Sequence, residues 1–193
     1  MQGYGNHTGG AAISKIVVLT GPESCGKTTL AEQLSEHTRA PLVTESSRDY
    51  LDQKISGDSH FRYSEIDLLE IASQQHKQET QALDSKPGLL ICDTDLLVLI
   101  IWSEVRFGHC HPWILDTFRD TLGLYKRHYL LCDHDIPWEA DALRENPSSR
   151  GELFELYRQK LEYFGLEYSV MTGSRDNRLH AAMALLASNT SFP

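Results

Sequence analysis

The chain has 193 residues, 40% of them hydrophobic, which is enough for one globular domain with its own core and excludes disordered, collagen-like and coiled-coil chains. Eighteen basic against 27 acidic residues give a net charge of −9, so we expect no nucleic-acid partner, because binding a phosphate backbone requires a basic surface. The sequence has no signal peptide, no apolar run long enough to cross a bilayer and no paired cysteines, which predicts a cytoplasmic protein with reduced thiols and no membrane contact.

Short apolar runs alternate with amphipathic stretches after a Gly-rich polar segment, 1–12, that we expect to be a disordered tail. The predicted strands are Lys15–Thr20, Leu42–Glu45, Leu89–Cys92, His128–Cys132 and Tyr168–Met171. The predicted helices are Lys27–His37, Ser64–Asp84, Asp95–Phe107, Pro112–Leu122, Gly151–Phe164 and Asp176–Ala187. The alternation predicts one α/β domain over 13–190, with a parallel sheet of about five strands and helices on both faces. Ligands of such sheets bind at the carboxyl ends of the strands.

A phosphate-binding loop follows the first predicted strand, where Gly21–Thr28 reads GPESCGKT and fits the P-loop pattern G-x-x-x-x-G-K-[ST]. Its backbone N–H groups and the start of the next helix cradle phosphates. Lys27 reaches the β/γ phosphates, and the Thr28 hydroxyl binds Mg²⁺. The predicted nucleotide-binding residues are Gly21, Pro22, Glu23, Ser24, Cys25, Gly26, Lys27, Thr28 and Thr29. Cys25 is either a small filler or a redox-sensitive thiol.

Carboxylates follow the third predicted strand, which ends in CDTD. Asp93 at the end of an apolar strand is the second P-loop signature and is predicted to hold Mg²⁺ together with Thr28. Asp95 could either cap the following helix or contact substrate. Because Thr94 stands where motor ATPases carry a carboxylate, and because no N-K-x-D motif is present, the sequence disfavours steady hydrolysis and a GTPase.

Glu45, at the end of the second predicted strand, would lie beside the phosphate site. A carboxylate in that place could accept a proton from an attacking hydroxyl. Arg48, one helical turn further on, could hold the substrate. The alternative is a surface pair of opposite charges.

The segment 134–150 follows the fourth strand, where small-molecule kinases carry a lid. Arg144 and Arg150 are spaced to close over phosphates, neutralise developing charge and exclude water, although an exposed loop with incidental arginines is the alternative. Trp138 is either a packing residue or a ring that faces the substrate. Trp102, on an apolar helix, we interpret as a core residue.

Together these motifs resemble the ribosylnicotinamide kinase domain of the NAD-biosynthesis regulators and its stand-alone relatives. The matching segments are GPESCGKTTLA at 21–31, ExxRDY at 45–50, the YSEID–IA stretch at 63–72, CDTD at 92–95 and IPWEADALRENPSSR at 136–150. The resemblance implies a P-loop kinase fold, ATP with Mg²⁺, and transfer of the γ-phosphoryl group to the 5′-hydroxyl of nicotinamide riboside. We expect a stand-alone form, because 193 residues leave no room for the other domains of the regulator.

The resemblance also assigns site residues and marks departures. The implied catalytic residues are Lys27, Glu45, Asp93, Arg144 and Arg150, and the implied substrate-binding residues are Glu45, Arg48, Asp95, Trp138 and Asp141. Thr44 and Ser46 replace aromatic residues that flank the second-strand Glu in the regulators, and Ala142 replaces a Gly of the lid. The sequence thus predicts a small-molecule kinase that favours nicotinamide riboside. Another nucleoside or small alcohol as acceptor, or a nucleotide-sensing ATPase, are the alternatives.

Overall fold

The computed structural model describes residues 15–57, 61–137 and 149–188, so the predicted tail and most of the predicted lid lie outside the described residues. The strands are β1 Lys15–Thr20, β2 Leu42–Val43, β3 Leu89–Asp93, β4 Arg127–Cys132 and β5 Tyr168–Met171. The helices are α1 Lys27–Thr38, α2 Ser46–Gly57, α3 Glu65–Asp84, α4 Leu96–Phe107, α5 Pro112–Leu124, α6 Arg150–Tyr163 and α7 Arg175–Ser188. Within the described ranges, no helix is both long and apolar enough to cross a membrane.

All five strands are parallel and lie in the order β2-β3-β1-β4-β5. The predicted α/β fold with a five-stranded parallel sheet is confirmed. After β1 the chain adds β2 and β3 on one side of it and then crosses to add β4 and β5 on the other. The carboxyl end of β1 is therefore the point at which the strand order reverses, and ligands bind at such points in open α/β sheets.

The two faces of the sheet bury two separate cores. In β1, Ile16 and Val18 pack into the larger core with residues of α3, α4, α5 and α6, whereas Val17 and Leu19 pack into the smaller core with α1 and α7. This alternation is the period-two pattern of a strand that is covered on both faces. The helices on both faces hold β1 rigidly, so that the loop at its end starts from a fixed position.

Helix α2 is the main element that the sequence did not predict. The segment SSRDYLDQKISG has few apolar residues, so its helical period is weak, and the helix is stabilised by tertiary packing of Tyr50 and Leu51 on the larger core. Strand β2 ends at Val43, two residues earlier than predicted. Glu45 consequently lies in the short connection that precedes α2. The predicted capping box of Ser64 and Asp67 at the start of α3 is confirmed.

Candidate active site

The loop between β1 and α1 has the backbone conformation of a phosphate-binding turn. Gly21, Ser24 and Gly26 have φ values of 132°, 53° and 81°. A Cβ atom at Gly21 would lie 2.6 Å from the carbonyl oxygen of Cys132, so only glycine fits there. Gly26 is the N-cap of α1, and a Cβ atom at Gly26 would lie 3.1 Å from the side chain of Ile136. The loop thus curls tightly at a helix N-terminus, which is where backbone N–H groups bind phosphates.

Lys27 folds back over this loop. Its Nζ atom donates hydrogen bonds to the carbonyl oxygens of Gly21, at 3.0 Å, and Pro22, at 2.8 Å. Burial by itself lowers the pKa of Lys27, but neighbouring groups that can carry negative charge raise it above its ordinary value. These groups are Cys25, Tyr157, Glu45 and Asp93. Lys27 is therefore a fully protonated cation at the centre of an acidic cluster.

Cys25 lies inside the loop, is buried and lines the same cavity as Lys27. Its Sγ atom lies 3.9 Å from Nζ of Lys27, and its thiol interacts with that of Cys132. Burial opposes ionisation, but Cys132, Lys27 and Arg178 outweigh it and lower the pKa of Cys25 to about 7. Cys25 is therefore a packed side chain with a lowered thiol pKa, and its redox sensitivity stays a prediction.

Asp93 and Thr28 fit a Mg²⁺ ion. The Asp93 side chain is buried, and it interacts with the side chain of Thr28. Within the described part of the chain, Oδ1 of Asp93 has no hydrogen-bond partner. A buried carboxylate oxygen without a donor suits a hard cation, and Mg²⁺ takes only one or two protein oxygens when phosphates and waters complete its coordination.

The environment of Asp93 predicts a pH dependence of Mg²⁺ binding. Burial, opposed by the Thr28 hydrogen bond and assisted by the charge of Glu45, raises the pKa of Asp93 to about 6. Protonation below that pH removes the charge that holds the cation, so the apparent affinity for Mg²⁺–nucleotide should rise as the pH rises through about 6. Calorimetric titrations at several pH values measure it. Asp93→Asn is the control, because the nucleotide itself titrates in the same way with both proteins. The variant should lack the rise in affinity that Asp93 causes, and an identical pH profile for both proteins would contradict the assignment.

Asp95 is separated from Asp93 by Thr94, a residue with a strained backbone. Thr94 has a φ of 72°, which is rare for a β-branched residue and costs about 1–3 kcal/mol. The turn sends Asp95 into the interior, where Oδ1 caps α4 through the N–H of Leu97, at 3.0 Å, and Oδ2 accepts from the Tyr129 hydroxyl at 2.7 Å. Arg127 lies 3.5 Å from the same carboxylate. Of the two interpretations of Asp95 the structure shows the capping role, and Asp95 lies away from the cavity that we expected it to line.

Glu45 and Arg48 both line the cavity into which the phosphate-binding loop opens. The Ser47 hydroxyl donates to Oε1 of Glu45 at 2.6 Å, which fixes the orientation of the carboxylate. Glu45 also interacts electrostatically with Lys27 and Asp93. The structure therefore brings the acidic side chain predicted for the acceptor and the cation predicted for the phosphates into one site.

Arg150, the first residue of α6, contacts the phosphate-binding loop. Its Nη1 atom donates to the carbonyl oxygens of Ser24, at 3.3 Å, and Ile136, at 3.0 Å. The other predicted lid residues, Trp138, Asp141 and Arg144, lie outside the described residues. The contact with Ser24 places one of the two predicted lid arginines against the phosphate-binding loop.

Several of the side chains that line the cavity were not predicted from the sequence or were assigned to the core. Trp102 packs against the larger core, as predicted, but it also lines the cavity together with Val98 of the same helix. Tyr157 of α6 is buried beside Lys27, and burial raises its pKa. Arg175 lines the cavity from the start of α7. Apolar and aromatic residues on amphipathic helices carry no local signal that distinguishes a cavity wall from a core, so only the fold could identify these residues.

The sequence of this chain matches a known protein family. The model of an AAA domain family, AAA_28, matches residues 16–178, which includes every described element of the site. The chain belongs to this family. It is 28% identical over 160 residues to the trifunctional NAD biosynthesis/regulator protein NadR of Escherichia coli (strain K12), and 27% identical over 139 residues to that of Salmonella typhimurium. These matches cover 80% and 70% of the chain, which spans only 37% and 32% of the two relatives.

Solved structures show the same fold. A NadR protein in complex with NR superposes with a TM-score of 0.71 at 22% identity, and the match covers 94% of this chain and 53% of that one. A deoxyadenosine kinase from M. mycoides superposes with a TM-score of 0.64 at 14% identity over 90% of this chain and 99% of that one. The resemblance to the NAD-biosynthesis regulators is confirmed, and the fold is the α/β fold of P-loop NTPases.

Proposed function

We propose that this chain is an ATP-dependent kinase that phosphorylates the 5′-hydroxyl of a nucleoside, with nicotinamide riboside as the favoured acceptor. One observation carries the proposal: the same open cavity is lined both by the phosphate-binding loop and by Glu45 and Arg48. A nucleotide sensor needs the loop but needs neither the carboxylate nor the arginine.

The residues support a single in-line transfer. Glu45 takes the proton of the acceptor hydroxyl while the oxygen of that hydroxyl bonds to the γ-phosphorus. The bond between the γ-phosphorus and the oxygen that bridges it to the β-phosphate breaks, which leaves ADP. Lys27 balances the charge of the phosphoryl group as it moves. Thr28 and Asp93 would hold Mg²⁺, which neutralises phosphate charge when bound.

Two features of the cavity favour a nucleoside with a positively charged base. Glu45 supplies negative charge on the acceptor side. Thr44 and Ser46 offer no aromatic surface, and Ser46 is buried with its N–H donating to Gln75 at 2.9 Å. Trp102 supplies an indole ring in the same cavity, and indole rings attract cations such as the pyridinium ring of nicotinamide riboside. The homology to NadR proteins, one of them solved with NR, points to the same acceptor.

The proposal is tested by incubating the protein with Mg²⁺–ATP and a panel of nucleosides. We expect ADP release to be stimulated most by nicotinamide riboside, with nicotinamide mononucleotide as the product identified by mass spectrometry. Stronger stimulation by a neutral nucleoside would overturn the acceptor and retain the kinase. A basal rate that no acceptor changes would favour a nucleotide-sensing ATPase instead.

Arg150 should act mainly in the transition state. Arg150→Ala removes a charge that contacts the phosphate-binding loop at Ser24, so kcat should fall by at least tenfold while the affinity for ATP changes little. Steady-state kinetics with ATP varied measures both quantities. Arg158→Ala is the matched control, because Arg158 lies on the same helix and its ion pairs in the described part of the chain are with the exposed Glu155 and Glu162. An effect of Arg150→Ala on KM alone would assign Arg150 to ground-state binding.

A further inference from the structure

The side chain of Arg178, on α7, is buried against the phosphate-binding loop, and none of the motifs pointed to it. Its side chain is 3% exposed, and its guanidinium group makes contacts with three separate loops. Nη1 donates to the carbonyl oxygen of Cys25 at 2.6 Å, and Nε donates to that of Gly173 at 3.0 Å. Nη2 donates to the carbonyl oxygen of Asp133 at 2.9 Å and to the carboxylate of Asp135.

The contact with Cys25 has a consequence for the neighbouring peptide group. A trans peptide is planar, so its C=O and N–H bonds point in opposite directions. Because Arg178 holds the carbonyl of Cys25, the N–H of Gly26 on the same peptide is held pointing away from Arg178. Gly26 lines the cavity and caps the N-terminus of α1, where phosphates bind. The contact thus fixes the direction of one of the amides expected to bind phosphate.

The other contacts fix Arg178 itself. Asp135 accepts from Arg178 and also from the backbone N–H of Gly173, at 2.5 Å, so the guanidinium group is held from two sides. A planar guanidinium with several fixed donors can bridge these acceptors at once, whereas the single ammonium group of a lysine cannot. Arg178 therefore makes more hydrogen bonds than it would need to neutralise the Asp135 carboxylate alone.

We propose that Arg178 is a positioning residue for nucleotide binding, which orients the phosphate-binding loop through the carbonyl of Cys25 and is itself held by Asp135. This inference rests on the nucleotide part of the proposed function and is independent of the acceptor. Arg178 touches neither nucleotide nor acceptor in this role. Its effect on affinity passes entirely through the backbone of the loop.

The test compares Arg178→Lys with Arg127→Lys. Arg127 is an equally buried arginine, and its partners Glu79 and Asp95 do not line the cavity, so the control also disturbs a buried arginine that is paired with carboxylates. Calorimetry measures the Kd for a non-hydrolysable ATP analogue with Mg²⁺, and thermal unfolding without nucleotide measures stability. We expect both variants to lower Tm, Arg178→Lys to raise Kd about tenfold, as for the loss of one charge-assisted hydrogen bond, and Arg127→Lys to leave Kd within about twofold. Equal changes of Kd in the two variants would overturn the proposal.

Asp135→Asn provides a second test, which decides the matter if Arg178→Lys does not fold. If Asp135 acted only through its charge, its neutralisation near an anion site would tighten binding of the analogue. The positioning role predicts the opposite, a Kd raised about threefold or more, because the guanidinium group is less firmly held. Unchanged or tighter binding would overturn the proposal. A parent protein that binds the analogue but phosphorylates no acceptor would contradict the proposed kinase and leave this inference standing, whereas a parent that does not bind it would contradict both.

Discussion

Lys27→Ala should abolish phosphoryl transfer, with a loss of at least about 10²-fold in kcat. The Nζ atom is held within the loop by Gly21 and Pro22 and is surrounded by acidic groups, so it places a positive charge in the phosphate-binding loop itself. Removing one electrostatic contact that is aimed at developing charge costs about 3 kcal/mol or more of transition-state stabilisation. Rates of ADP and product formation with saturating acceptor measure the loss.

The matched control for this experiment is Lys77→Ala, which removes the same side chain from an exposed position of α3. The control should keep the activity of the parent. Thermal unfolding of Lys27→Ala separates a catalytic loss from a folding defect. Turnover of the Lys27 variant within about threefold of the parent would show that the phosphate-binding loop has been wrongly assigned.

Glu45→Gln should lower kcat by about 10²–10⁴-fold while leaving ATP affinity nearly intact, because a positioned general base contributes a factor of that size. The substitution keeps the shape of the side chain and its acceptor for the Ser47 hydroxyl. Asp93→Asn should behave differently, since it removes charge beside Thr28 and should weaken the Mg²⁺ dependence with every acceptor. The two variants, assayed over a range of Mg²⁺ concentrations, separate the two roles.

The acceptor panel sharpens this comparison. If the Glu45 carboxylate also attracts a positively charged base, Glu45→Gln should slow the phosphorylation of nicotinamide riboside more than that of a neutral nucleoside. Equal losses of Mg²⁺ dependence in the Glu45 and Asp93 variants would mean that their roles have been divided wrongly. A Glu45→Gln protein with normal kcat would assign the base to Asp93, because the oxygens of Asp95 face Leu97, Tyr129 and Arg127 in the interior.

The sequence by itself determined the features that depend on short stretches of chain. The P-loop pattern at 21–28, the apolar strand that ends at Asp93 and the capping box at Ser64 are each encoded within a few residues, and local geometry follows from them. Alternating strands and helices were enough to predict the parallel sheet. Residues such as Asp93 are positioned by the end of a buried strand, which is why their place was predictable.

Only the tertiary structure decided which distant side chains complete the site. Arg178 contacts a carbonyl 153 positions earlier in the chain, and an arginine near the start of an amphipathic helix gives no local sign of such a contact. Trp102 and Tyr157 look like core residues in sequence, and their access to the cavity depends on how α4 and α6 pack beside the loop. Asp95 could have faced either way until the backbone turn at Thr94 sent it into the interior. Local patterns encode elements and loops, whereas the orientation of one element toward another is set by packing over the whole core.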